Sequence, residues 1–323
     1  MFSYRHAFHA GNHADVLKHL TLVATLRHLM QKDSPLTLID THAGAGIYRL
    51  DADAAQTSGE AEAGIARLVA SLGTQESKAN PAPAPDPLAR VATNSIASAL
   101  ADYLEVVASF NPTVDASGTH RIYPGSPFIM HALMDAPERA AVHDRLRLFE
   151  MHPTDVQALN AHVAQMHAGR RVSLARQDGF EALKALLPPP ASSGGSRRAV
   201  VLIDPSYEIK SDYAKVAAAV QDSLKRFATG VYMVWYPIIP RPEAHDLPRR
   251  LKTLAQQAQR HWLNATLHIG QGQDGGGLSA SGMLIINPPH TLKAALDEAL
   301  PQVWQRLRAG RGAGSSWEVE ESR

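Results

Sequence analysis

Leu202-Ile203-Asp204-Pro205-Ser206-Tyr207-Glu208 sets an acid, a proline and an aromatic ring directly after an apolar run that reaches back to Ala199. An apolar run bounded by Asp-Pro reads as a buried parallel strand. The acid, two backbone carbonyls and the ring then emerge together at its carboxyl end, where open α/β sheets bind ligands. The set suits methylation of an exocyclic base amine, because Asp204 and the Pro205 carbonyl can accept both amino protons while Tyr207 stacks on the base. Taken alone, Asp-Pro-Ser-Tyr is also a good β-turn.

Upstream, Leu36 to Asp40 is a second buried strand, and Thr41-His42-Ala43-Gly44-Ala45-Gly46 is a glycine loop followed by a helix-competent stretch. Arg49 stands where a dinucleotide fingerprint has its third glycine, and no Gly-Lys-Ser/Thr follows, which disfavours NAD and ATP. S-adenosylmethionine carries no phosphate. Its site needs the close-approach glycines, Gly44 among them, and an acid for the ribose. Arg145 to Phe149 alternates like a strand and delivers Glu150 to its end as that acid, and Arg171 to Ala175 leads to Asp178-Gly179, placed to meet an adenine ring. Either acid alone is an ordinary solvated strand end. Glycine loop, acid, Asp-Gly and Asp-Pro-x-Tyr on four successive strand ends argue together.

The elements that must carry these residues follow from the spacing. Glu150 comes roughly a hundred residues after the glycine loop, where a compact βαβ unit delivers its acid about twenty on, so an insertion lies between. Ala/Glu-rich helical pieces at Gly59 to Leu72 and Ile96 to Phe110 supply it, flanking the extended Pro/Ala tract Ala79 to Pro87, which has no apolar payload. A first helix begins near Asn12 or Asp15, with Val16, Leu20, Val23 and Met30 on one apolar face; Lys18 and His19 lie in its early turns and can face a cofactor. Val231 to Val234 is a further strand whose following aromatics, Trp235 and Tyr236, suit a core. A soft segment runs from Pro188 to Gly195, and the tail after Leu307 reads as loose, with Trp317 its one anchor.

Composition excludes several classes. The chain of 323 residues is 45% hydrophobic, enough for a sheet-based core, and with no cysteine it has neither disulfides nor a thiolate metal site. His6, His9, His13 and His19 lack the spacing of helical metal-ligand pairs apart from His9 and His13, which flank a glycine, so no metal is expected. The His-rich start is no signal peptide, and the longest apolar stretch, Val231 to Ile239, contains Pro237 and is too short to span a bilayer; a cytoplasmic protein without membrane contact is expected. A net charge of +1 excludes a general polyanion binder but allows a local basic face, for which Arg170-Arg171, Arg197-Arg198, Lys225-Arg226 and Arg249-Arg250 are the candidates.

Longer motifs carry a family resemblance. Tyr4 to His19 (YRHAFHAGNHADVLKH), Asp40 to Gly46, Tyr123 to Pro127 (YPGSP), Lys225 to Gly230 (KRFATG), Trp235-Tyr236-Pro237, Ser281-Gly282-Met283 and Asn287-Pro288-Pro289 resemble the bacterial 23S ribosomal RNA adenine-N6 methyltransferases of the RlmJ type over nearly the whole chain. The resemblance implies an α/β fold, a Rossmann-like S-adenosylmethionine-dependent methyltransferase sheet with a small helical insertion: residues 1–50 and 120–323 form the methyltransferase domain and 51–119 the inserted helical subdomain. It implies a monomer that methylates N6 of one adenine in naked or partly assembled 23S rRNA. Motif matching puts the cofactor on His19, His42, Ser126, Glu150, Asp178, Gly179 and Asp204, with Lys18 and Gly44 beside them. It makes Asp204 the proton acceptor, with Pro205 and Tyr207 completing the catalytic motif, and puts Tyr4, His6 and Tyr207 against the RNA. The chain departs from the family at Ser206, where a second proline is usual, and in the length of its Pro/Ala tract. A DNA adenine-N6 methyltransferase would use the same strand ends, and a non-catalytic RNA-binding assembly factor on this scaffold would be expected to have lost the cofactor motifs.

Overall fold

Ala199–Ile203 has no polar side chain, and all five residues are buried as a central strand in the computed structural model, which describes residues 6–76, 96–112, 121–192, 194–270, 278–309 and 314–322. A strand apolar on both faces needs cover on both sides. That cover divides the elements into two layers around one sheet.

The chain opens with α1 (His13–Leu29), capped by the Asn12 side chain, whose Oδ1 accepts from the Ala14 and Asp15 amides at 2.9 Å each. Next come β1 (Thr37–Asp40), β2 (Ile47–Arg49), α2 (Asp53–Ser58), a π turn (Glu62–Ala66) running into α3 (Arg67–Glu76), α4 (Ser98–Ser109) and β3 (Ile122–Pro124). Alternating elements follow: α5 (Ser126–Met134), β4 (Arg145–Phe149), α6 (Pro153–Ala164), β5 (Val172–Ala175), α7 (Gly179–Leu186), β6 (Ala199–Ile203), α8 (Ser211–Arg226), β7 (Val231–Pro237) and α9 (Pro242–Gln257). The chain closes with β8 (Trp262–Ile269), β9 (Ala280–Ile286), α10 (Leu292–Leu307) and β10 (Ser315–Glu321).

The strands order as β10-β8-β9-β7-β6-β1-β4-β5. Neighbours from β5 through β7 are parallel, and β9, β8 and β10 add on antiparallel. From β1 the chain winds outward through β4 and β5, then returns to lay β6 on the other flank of β1. The topological switch point therefore lies between β1 and β6, where such sheets open a crevice at their carboxyl ends. Successive side chains feed opposite layers: Leu38, Val200 and Leu202 join the core with α1, α4, α5 and α10, while Ile39, Val201 and Ile203 join the core with α7, α8 and α9.

Three sequence expectations are corrected. The glycine loop after β1 leads into β2, which pairs antiparallel with β3 and so closes the base of the insertion; the crossover helix to β4 is α5, which begins at Ser126. Helix α1 is not buried on a single face: besides Val16, Leu20, Val23 and Met30 it buries Asp15, Lys18, His19, Thr21 and Thr25, because the sheet packs on one side and α4, α5 and α10 on the others. The tail after Leu307 is not loose over Ser315–Glu321, which hydrogen-bonds along β8 with Trp317 opposite Leu267 and packed on the core. The insertion's described helices bury Ile65, Leu68, Leu100, Tyr103 and Val107 in the same core as β1 and β6. The tract Ala79 to Pro87 lies outside the described residues. Among the described residues no helix is long and apolar enough to cross a membrane.

Candidate active site

The crevice at the switch point is a cavity of about 650 Å³, lined from the ends of β1, β4, β5, β6 and β7 and from the start of α1. The β1 side is built on Asp40, which is fully buried; its Oδ2 accepts from Ser126 Oγ at 2.6 Å and its Oδ1 from the His42 amide at 3.2 Å. Burial nevertheless pushes this carboxyl up to about 6. Gly44, with φ of +59°, donates its N–H to Glu150 Oε2 at 2.8 Å, while the His152 amide donates to Oε1 at 2.7 Å. Burial raises the Glu150 carboxyl above its ordinary value despite those two donors. A Cβ at Gly44 would stand 2.3 Å from the Tyr48 hydroxyl, and one at Gly179 would stand 2.2 Å from the Thr41 carbonyl, so the loop passes at backbone distance from α7. Asp178 caps α7 through Oδ1, which accepts from the Phe180 and Glu181 amides at 2.8 and 3.4 Å.

His42 packs edge-on to Phe180 with ring centroids 4.9 Å apart. The Thr41 hydroxyl donates its proton to the Leu202 carbonyl, so His42 Nδ1 is the donor in the 2.8 Å contact between the two side chains and Nε2 is left as an acceptor. Burial holds this imidazole at about 4, and hence neutral at pH 7. Below it, His19 Nδ1 lies 2.7 Å from the Tyr123 hydroxyl, which is 3.0 Å from the Tyr103 hydroxyl of α4. His19 is likewise kept neutral by burial.

The β6 side centres on Asp204. Lys18 Nζ donates to its Oδ2 at 2.6 Å and sits 2.7 Å from Asp15 Oδ1, and Asp15 Oδ2 is 3.0 Å from His6 Nε2 and accepts from the Gly11 amide at 2.9 Å. Burial opposes charge on Lys18, but the two carboxylates hold its pKa well above the usual range. The buried Asp15, facing His6 and Lys18, is held well below the usual carboxylate range. Asp204 Oδ1 and the Pro205 carbonyl take no hydrogen bond from the described residues, and both residues line the cavity.

Of the residues expected from sequence, Lys18, His19, His42, Gly44, Ser126, Glu150, Asp178, Gly179, Asp204, Pro205, Tyr207 and His6 all line this one cavity; Tyr4 lies outside the described residues. Tyr207 corrects the picture of a free stacking platform. It is 97% buried on its 3% exposure, its hydroxyl donates to the Trp235 carbonyl at 2.6 Å, and its ring lies 4.6 Å from Tyr213 and 5.8 Å from Trp235. Its φ of +54° is rare for an aromatic residue, and Arg241 donates to its carbonyl at 3.2 Å, so the turn is held in an unfavourable conformation by its surroundings. Ser206 is exposed and makes no hydrogen bond among the described residues. Sequence reasoning missed Asp15 and Asp40 as site residues. Signals existed: the Asp15/Lys18 spacing is that of facing residues on a helix, and Asp40 ends β1 as Asp204 follows β6.

The candidate basic face is mostly elsewhere. Arg170-Arg171 precedes β5, Arg197-Arg198 precedes β6 and Lys225-Arg226 ends α8, all at the amino edge of the parallel strands, where Arg171 and Arg198 hold backbone carbonyls. No group of three or more metal-ligating side chains is gathered among the described residues.

A family model described as Ribosomal RNA large subunit methyltransferase D, RlmJ, matches residues 33–80 and 84–319. The chain is 38% identical over 323 residues to ribosomal RNA large subunit methyltransferase J of Escherichia coli K12, covering 99% of this chain and 100% of that protein. It is 36% identical over 320 residues to the protein of the same name from Haemophilus influenzae Rd, covering 99% and 98%. A crystal structure of a Legionella pneumophila protein, 29% identical, superposes with a TM-score of 0.73 over 97% of this chain and 98% of that one.

Proposed function

The chain belongs to the RlmJ family of large-subunit ribosomal RNA methyltransferases, and from that premise we propose that it methylates N6 of one adenine in 23S ribosomal RNA, using S-adenosylmethionine. The cavity suits that cofactor. Gly44 and Gly179 line it beside Glu150 and Asp178, which are acids for hydroxyl and amino groups. Bound there, S-adenosylmethionine supplies an electrophilic methyl group.

The observation that carries the reading is the pair of acceptors at the end of β6, Asp204 Oδ1 and the Pro205 carbonyl, which have no hydrogen-bond partner among the described residues. The N6 lone pair of adenine is delocalised into the ring, and the amine becomes a nucleophile when acceptors on both protons favour a pyramidal nitrogen. Lys18 fixes Asp204 through Oδ2, so Oδ1 is the oxygen left to face the amine, and Asp15 fixes Lys18 in turn. Lys18 lies between the two carboxylates, with His6 on the far side of Asp15, and Asp204 Oδ1 is left toward the position where positive charge develops on N6. Fixed groups of this kind are worth about 3–4 kcal/mol each in a transition state. Tyr207 and Trp235 wall the space that the base enters.

The test is transfer of tritiated methyl from S-adenosylmethionine by the purified chain to transcribed 23S rRNA, 16S rRNA and duplex DNA, with nucleoside mass spectrometry of the product. Label in 23S rRNA as N6-methyladenosine is expected. Equal label in duplex DNA, or product on another atom, would sink the reading.

A further inference from the structure

Among the described residues four large hydrophobic side chains are exposed, and the most exposed, Ile209 at 58%, stands in the mouth of the cavity. A single exposed aliphatic side chain is ordinary on a protein surface, and this one is set apart by its place at the cavity mouth. Its backbone is fixed: Tyr207, two residues earlier, is anchored in the core, and the Asp212 amide donates to the Ile209 carbonyl at 2.9 Å as α8 begins.

Charge around the mouth is uneven. Among the described residues three Lys or Arg side chains line the cavity, and one, Lys18, is buried between Asp15 and Asp204. The other two, Lys215 and Arg241, share the β6–α8–α9 lip with Ile209 and offset its two acids, Glu208 and Asp212, whereas the lip across the cavity presents Glu150, Asp155 and Asp178. A polyanion crossing this mouth is repelled by the second lip and meets its cations on the first. Lys215 lies 3.4 Å from Asp212, a surface pair weak enough to exchange for a phosphate.

We propose that the lip carrying Ile209, Lys215 and Arg241 is where the RNA strand around the target adenine docks, and that Ile209 is the apolar wedge that fills the stacking gap when the adenine turns into the cavity. This rests on the methyltransferase reading above. A base inside a helix must leave its stack to reach Asp204, and an apolar side chain entering the vacated step offsets part of the lost stacking. Ile209 is two residues from the ring that walls the base, so one segment can receive the base and hold the gap open.

The test uses two RNAs of one sequence spanning the adenine methylated in transcribed 23S rRNA, one folded as a hairpin with that adenine paired and one kept as an open strand. Ile209→Ala should lower kcat/KM on the hairpin by roughly tenfold more than on the open strand, because only the paired base has to be extruded. With 2-aminopurine at the target position, the fluorescence rise that wild type produces on the hairpin should be lost in the variant, while S-adenosylmethionine affinity by calorimetry is unchanged. Lys215→Gln should reduce the salt slope of hairpin binding by roughly 0.7–0.9, the share of one phosphate contact. Equal losses on the two RNAs with the fluorescence rise intact would overturn the wedge and leave Ile209 to a protein occupant. Failure of the function itself would show earlier, as transcribed 23S rRNA left unmethylated by the wild-type chain.

Discussion

Lys18 reaches Asp204 across 186 residues of sequence and takes only its Oδ2. On the proposed mechanism the oxygen it leaves is the one that meets the amine, which makes the charge of Asp204, and not its shape, the quantity to remove. Asp204→Asn should lower the single-turnover rate by roughly 10²–10³, the loss seen when one fixed polar group is taken from a transition state, with the melting temperature nearly unchanged. A variant retaining more than a tenth of the wild-type rate would remove Asp204 from the chemistry. Ser206 is the control within the same turn. Its exposed hydroxyl has no partner among the described residues, so Ser206→Ala and Ser206→Pro should both stay within a few-fold of wild type, and a hundredfold loss in Ser206→Ala would make the serine a reacting group. Asp204 and Asp178 were legible in sequence because a strand end is punctuated locally, by an acid next to Pro or Gly, and Glu150 because it ends an alternating run. Asp15 and the burial of Tyr207 were not, since each depends on partners from other elements: His6 and Lys18 for one, Tyr213 and Trp235 for the other.

Helix α1 can bring Lys18 under Asp204 only if its far end is fixed against the sheet, and a buried ion pair does that. Arg139 is 2% exposed and Asp144 fully buried; the guanidinium donates to both Asp144 oxygens at 2.7–3.0 Å and to the carbonyls of Met30 and Lys32, while Asp144 accepts from the Leu36 amide. The end of α1, the entry to β1 and the approach to β4 thus meet on one pair. Removing one partner strands a buried charge, so Arg139→Met should cost about 3–5 kcal/mol in urea unfolding, whereas Arg139→Met with Asp144→Leu should recover a large part of that. Equal stability of wild type and Arg139→Met would show that the pair does not clamp these elements. Periodicity located most helices and strands, yet gave no hint of this pair, because Arg139 lies in a short turn whose partners belong to three separate segments. Periodicity also failed where tertiary contacts decide. The glycine loop enters β2 because β3, beyond the insertion, is there to pair with it, and α1 buries polar residues because their partners come from distant segments, Asp204 for Lys18 and Tyr123 for His19.

The whole molecule assembles one cavity from residues 6 to 278 by placing β1 and β6 side by side at the switch point, and that much could be inferred from four strand ends in order. The antiparallel addition of β9, β8 and β10 could not, since edge pairing depends on register rather than on any local motif. Assembling so many ionisable groups in a closed interior has a consequence for pH. His13, 4% exposed with Nε2 unpartnered, is held by burial at about 4 against an ordinary 6.5, and His42 is held at about 4 in the same way. For a histidine with a lowered folded pKa, the unfolded chain takes up a proton first as pH falls below 6.5, so stability is lost between 6.5 and about 4. Asp40, raised by burial from 3.8 to about 6, has the opposite sign: the folded state is protonated first, and stability is gained as pH falls through 6. At pH 5 His13 alone costs about 2 kcal/mol and Asp40 returns about 1, so the histidines win by size and by number. The melting temperature should therefore fall by a few degrees from pH 7 to pH 5. His13→Gln should flatten that fall and Asp40→Asn should steepen it, each relative to its own value at pH 7. Scanning calorimetry on the three proteins across this range decides the matter, and slopes that move together, or a wild type that gains stability at pH 5, would overturn the assignment of these interior charges.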